Sequence, residues 1–186
     1  MRLAAAVLVA IAAGSGLSGQ TRVVPGTGSG RGFSPVWNGW SVKPIVVYVD
    51  DGDDFYIRGG AGQLAATGPV ARRQLRELID ALKRGQAQAG RKATERPEES
   101  RELASFFRLC ADGRGRQTGI ALTLAPPNQA GAVDLALEIR DLGPPFGRIV
   151  LHLDPVQVTR LIALLEKVPV THQELLRSRM KPTRRA

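Results

Sequence analysis

The chain has 186 residues, 43% hydrophobic and only 5% aromatic, enough for one domain whose core must be filled by Leu, Ile, Val and Ala. Lys and Arg number 26 against 17 acids, a formal charge of +9; it reads either as an Arg-biased composition or as attraction to an anionic partner such as nucleic acid. The single cysteine, Cys110, excludes an intramolecular disulfide and a Cys-rich metal site, and two histidines are too few for a zinc site without Cys support.

Arg2 precedes an unbroken apolar run over residues 3–13. That is the length of a signal-peptide core and too short to cross a bilayer. Residues 1–14 therefore have two readings, an export signal or an over-extended start, and location stays open between exported and cytoplasmic. No transmembrane segment is expected. Residues 15–43 are rich in Gly, Ser and Pro, show no visible period, and read as a flexible arm. Phe33, Trp37 and Trp40 are its large apolar groups, placed either to tuck onto the domain or to anchor a partner.

A single domain is expected over residues 44–168. It opens with two strand-like runs, 46–49 and 55–57, around the acidic turn Asp50-Asp51-Gly52-Asp53-Asp54. A short third strand is expected over 63–66. A helix should then start after Thr67-Gly68-Pro69, with Ala71, Leu75, Leu78, Ile79 and Leu82 on one face and Gly85 as its stop. Its other face carries Arg72, Arg73 and Arg76. Residues 85–96 read as a polar linker inside the domain. Pro97 should open a second helix, with Leu103, Phe106, Phe107 and Cys110 at i, i+3, i+4 and i+7.

Three alternating strands follow, marked by Ile120, Leu122 and Leu124, by Val133, Leu135, Leu137 and Ile139, and by Ile149, Leu151 and Leu153. Turn-rich connections predict an antiparallel meander. His152 falls on the face opposite Leu151 and Leu153. Asp154, Pro155 and Gln157 form a capping box for a helix buried through Val158, Leu161, Ile162 and Leu165. Residues 169–186 read as a short helix, with Thr171 and Glu174 as a second capping box, and a basic tail.

The fold expected is α+β: two layers, a mainly antiparallel sheet with helices packed largely on one face. The segments beginning at Pro69 and Pro155 resemble each other, so a degenerate duplication of a strands-then-helix unit stands beside chance similarity.

Tyr48-Val49-Asp50-Asp51, "YVDD", resembles the metal-binding signature of reverse transcriptases, where adjacent aspartates at a hairpin tip help hold two magnesium ions. That resemblance would imply a nucleotidyl-transfer site. With 47 residues before Tyr48, there is no room for the rest of such a palm, and the reading is set aside. A calcium loop lacks the spacing and the final Glu of an EF-hand. The alternative is a soluble hairpin tip in which Gly52 supplies the permissive backbone. Any metal role would fall on Asp51 and Asp53.

No catalytic residue and no cofactor is assigned; a thiolate at Cys110 would need His152 or His172 beside it. The leading expectation is a non-enzymatic binding or assembly protein that docks a protein partner, or its own copy, through a sheet edge, a sheet face or the aromatics Phe33, Trp37 and Trp40. The first alternative is a nucleic-acid-binding accessory protein using Arg72, Arg73, Arg76, Arg177, Arg179, Lys181, Arg184 and Arg185. The second is a metal-dependent enzyme at the acidic turn.

Overall fold

The computed structural model describes residues 21–34, 38–89, 100–110, 115–125, 134–141 and 147–180. Residues 1–14, Trp37, Val133, Pro97, most of the expected 85–96 linker, and the tail with Lys181, Arg184 and Arg185 lie outside the described residues.

The chain is α+β, with a curled, antiparallel ten-stranded sheet and helices. The strands are β1 (Arg22–Val23), β2 (Gly28–Ser34), β3 (Gly39–Val49), β4 (Asp54–Gly59), β5 (Ala66–Ala71), β6 (Arg101–Ser105), β7 (Arg108–Leu109), β8 (Gln117–Leu124), β9 (Leu135–Arg140) and β10 (Arg148–Leu153). The helices are α1 (Leu75–Ala89), α2 (Pro155–Leu165) and α3 (Val168–Met180). Strand order is β5-β4-β3-β2-β10-β9-β8-β6, with β1 pairing β3 beyond β2 and β7 pairing β8 beyond β6.

The period-2 runs are strands as read. Ile120, Leu122, Leu124, Leu135, Leu137, Ile139, Leu151 and Leu153 all lie on the buried face. Ile45, Val47, Phe55 and Ile57 supply the same face from the first half of the sheet. The two halves curl together where glycines leave room. A Cβ on Gly59 would stand 2.8 Å from both Ile139 Cδ1 and Leu151 Cδ1, and one on Gly68 would press into the Gly119 carbonyl oxygen. Leu78 and Leu82 of α1, Leu161 and Leu165 of α2, and Leu175 of α3 close the core.

Several expectations are corrected. Much of the 15–43 arm is sheet: β1, β2 and the start of β3. Its period is carried by glycine. Gly28, Gly30 and Gly32 occupy the inward positions of β2, and a Cβ on Gly30 would stand 2.7 Å from Leu153 Cδ2. Neighbouring leucines fill the space that a side chain would take, so no apolar alternation is visible. Of the strand expected over 63–66, Gln63 and Leu64 belong to a 3-10 turn, Gly62–Leu64, and Ala66 is the first residue of β5.

Pro69 does not open a helix; it lies in β5 opposite Tyr56, on an edge strand that tolerates a missing N–H. Pro155 does open one, so the two prolines hold different structural places. α1 begins at Leu75 and runs through Gly85, which is there because a Cβ would stand 2.8 Å from Leu135 Cδ1.

The helix expected from Pro97 is instead β6 and β7 along β8. The Phe106 N–H donates to the Ile120 carbonyl at 2.8 Å, and pairing to the rim of the sheet overrides the helical spacing. Asp154 caps α2 as expected, accepting from the Gln157 N–H at 2.8 Å while Gln157 Oε1 accepts from the Asp154 N–H. Thr171 is no cap; α3 starts at Val168 and Thr171 Oγ1 donates back to the Lys167 carbonyl.

Candidate functional site

The acidic turn joins β3 to β4, and alternation along the hairpin sends its carboxylates apart. Each finds its own partner. Asp50 Oδ1 accepts from the Gly52 N–H at 3.0 Å and closes the turn; its Oδ2 accepts the Tyr56 hydroxyl at 2.8 Å. Asp51 pairs with Arg179 in the last turn of α3. Asp53 accepts Arg72 Nη2 at 2.7 Å, and Asp54 accepts Arg108 Nη2 at 2.5 Å. Among the described residues no group of three His, Cys, Asp or Glu side chains gathers as a metal site.

This pairing joins two sets of residues that the sequence kept apart. Arg72 and Arg179, candidates for nucleic-acid contact, are partners of Asp53 and Asp51, the residues on which any metal role would have fallen. Arg72 also packs on His172, with Nη1 2.6 Å from Nδ1, and its buried Nε has no hydrogen-bond partner. Burial, and then the Arg72 charge, lower the His172 pKa, while Asp50, Asp53 and a bond to the Gly52 backbone act the other way. Burial, and then the bond to Asp50, push the Tyr56 phenol well above its ordinary pKa, so it stays a donor. The turn thus ties α3, the 3-10 turn Arg72–Gln74 just ahead of α1, and β7 to one hairpin tip. Arg73, Arg76 and Arg177 remain exposed on helical surfaces.

The aromatics of the former arm do come together. Phe33 and Trp40 are opposite one another across β2 and β3, ring centroids 5.9 Å apart and edge to face. Trp40 also meets His152 edge-on at 4.8 Å, and His152 Nδ1 lies 3.5 Å from Asp134 Oδ2. Phe33 is 48% exposed, Trp40 51% and Val42 69%. Strand parity puts Arg31, Phe33, Trp40, Val42, Val150 and His152 on the outer sheet face, opposite the leucine core. A legible signal for this hairpin was Asn38-Gly39, a strong turn pair; Asn38 has φ of 44°. With His152 against Trp40 and His172 against Arg72, each histidine has a partner other than Cys110.

Further along the outer face, Glu138 on β9 lies between two arginines. Its Oε1 accepts from Arg140 Nε at 2.6 Å and from Arg148 Nε at 2.7 Å. Burial raises the Glu138 pKa, but these two bonds outweigh it and hold the carboxyl below its ordinary value. Sequence reading missed this trio because its members belong to two strands whose register was not yet known.

No family model, no curated protein and no solved structure matches the chain. Among the described residues no helix is long and apolar enough to cross a membrane.

Proposed function

We propose that this is a non-enzymatic binding or assembly protein that docks a protein partner on the outer sheet face at Phe33, Trp40 and Val42. The observation that carries the reading is the Phe33–Trp40 pair, half exposed yet fixed by cross-strand and edge-on contacts. A rigid aromatic anchor binds with little loss of side-chain entropy. In this reading the helices form one layer over the inner face, where Leu164 of α2 approaches Gly28, and the outer face is left for the partner. The resemblance between the Pro69 and Pro155 segments plays no part in it.

The test is affinity capture from the native host with wild-type protein, Trp40→Ala and Arg73→Ala, alongside size exclusion. Trp40→Ala should lose a specific partner or self-association that Arg73→Ala keeps. A strict monomer retaining the same proteins with or without Trp40 would refute the reading.

A second reading, a nucleic-acid-binding accessory protein, rests on Arg31, which shares the outer face with Phe33 and Trp40 and is exposed. Aromatic and basic groups together suit stacked bases and phosphates. It predicts single-strand binding that weakens steeply with salt and is reduced in both Trp40→Ala and Arg31→Ala.

A further inference from the structure

β3 pairs with β4 only over residues 45–49, so residues 39–44 have β2 on one side and, among the described residues, no strand on the other. In an antiparallel sheet the N–H and C=O of one residue share an edge, and successive residues alternate between edges. Two bonds fix which edge is which. The Val47 carbonyl accepts from the Val24 N–H on the edge that β2 shares, and the Pro44 carbonyl accepts from the Gly60 N–H on the β4 side, both at 2.9 Å. Trp40 and Val42 have the parity of Pro44. Their N–H and C=O groups therefore face the open edge, and no turn or loop bond among the described residues reaches them.

Other edges of the sheet are blunted, as exposed edges generally are. On β5, Pro69 has no N–H, and the Thr67 N–H is taken by Asp141 Oδ2 at 3.2 Å. β6 carries a bulge between Glu102 and Ala104 and presents exposed Arg101 and Glu102. On β3 the residues facing the open edge are instead large and apolar: Trp40 is 51% exposed and Val42 69%. Lys43 is the single charged residue within 39–44, and strand parity turns it to the inner face, beside Gly32. Pro44, without an N–H, ends the row of donors where β4 begins.

We propose that this edge takes up an extended segment of an acidic partner protein as an added strand beside residues 40–42. Backbone pairing supplies affinity there, and the side chains of the segment lie against Trp40 and Val42 on the outer face. Arg31 is exposed directly opposite Val42, and the chain carries a formal charge of +9. Carboxylates in the segment are therefore favoured, and a second copy of the chain is repelled. Strand addition here rests on the docking reading at Phe33, Trp40 and Val42, and gives the partner a conformation and a charge.

The experiment selects peptides on the full chain from a phage-displayed random library of about twelve residues, then measures the affinity of the synthesised winners by fluorescence anisotropy. Enriched peptides should be net acidic, alternate apolar with other residues, and bind saturably. N-methylation of alternate peptide N–H groups should weaken binding at least about tenfold in one register and have no effect in the other. Trp40→Ala should weaken it by a similar factor, as should Val42→Pro, which removes an edge N–H and leaves the bonds to β2; Arg73→Ala should not. The N-methylated peptides test the wild-type protein, so the answer does not depend on how Val42→Pro folds. No enrichment, enrichment of basic peptides as readily as acidic ones, or tolerance of N-methylation in both registers would overturn strand addition. If Trp40→Ala abolishes binding while both registers tolerate N-methylation, docking at the aromatic pair stands and the added strand alone falls.

Discussion

Arg72, just ahead of α1, reaches His172 on α3 and holds its Nη1 2.9 Å from Nε2 as well as close to Nδ1. A protonated imidazole beside this guanidinium would place two cations in a buried site. The folded pKa of His172 is accordingly below its ordinary 6.5, through burial first and Arg72 second. The unfolded chain therefore takes up the proton before the native one does. The stability tied to neutral His172 is complete above pH 6.5 and is lost as pH falls through the lower folded pKa. Melting temperature should fall between about pH 7.5 and about pH 5.5, and His172→Gln should flatten that slope. Equal slopes in the two proteins would show that His172 does not set the dependence.

The four aspartates of the turn should behave as separate structural contacts. Asp50→Ala removes the acceptor for both the Gly52 N–H and the Tyr56 hydroxyl, and should cost about 1–3 kcal/mol in urea unfolding because a half-buried phenol loses its partner. Asp53→Asn should cost less, since the Asp53 side chain is almost wholly exposed and its pair with Arg72 is screened. Millimolar calcium or magnesium should leave the melting temperature of the wild type unchanged. A clear rise that Asp51→Asn abolishes would restore a metal role to the turn.

What could be read from the sequence follows where the stabilising information lies. β8, β9 and β10 alternate Leu or Ile with other residues because one face meets the core, and that pattern is local. α2 announces itself through Asp154, Pro155 and Gln157, again within four residues. β2 was illegible because Gly28, Gly30 and Gly32 leave the inward space to Leu151, Leu153 and Leu164, which lie far along the chain. β6 and β7 were misread because Leu103, Phe106, Phe107 and Cys110 fit a helix equally well, and only the hydrogen bonds to β8 decide. The acidic turn was visible at once, but its partners Arg72, Arg108 and Arg179 were set by tertiary folding, so its role was not.

The capping box of α2 should be worth a measurable amount on its own. Asp154 accepts from the Gln157 N–H, and Gln157 returns a bond to the Asp154 N–H at 2.9 Å. Asp154→Ala removes one side-chain acceptor and leaves an N–H at the helix start to water, a loss of about 1 kcal/mol. Asp154→Asn keeps an acceptor oxygen and should lose much less. Denaturant titration of the two variants checks this; equal losses would mean that the carboxylate charge, and not the hydrogen bond, stabilises the end.

The curl of the sheet depends on backbone approach between β5 and β8, and the most sensitive positions should be Gly68 and Gly119. A Cβ at Gly68 meets the Gly119 carbonyl and comes within 2.8 Å of Ile120 Cγ2. A Cβ at Gly119 meets the Phe106 carbonyl, and the residue has φ of +132°, a backbone region that side-chain-bearing residues avoid. Neither obstacle is the flexible end of a side chain, so relief requires separating strands. Gly68→Ala should cost about 1–3 kcal/mol by overpacking, and Gly119→Ala more, since backbone strain is added. Gly62 is the control for strain alone: its φ is +58° and a Cβ there meets nothing within 4 Å, so Gly62→Ala should cost less than either. If Gly68→Ala and Gly62→Ala proved equally mild in denaturant titration, close contact between β5 and β8 could not be what holds the sheet curled.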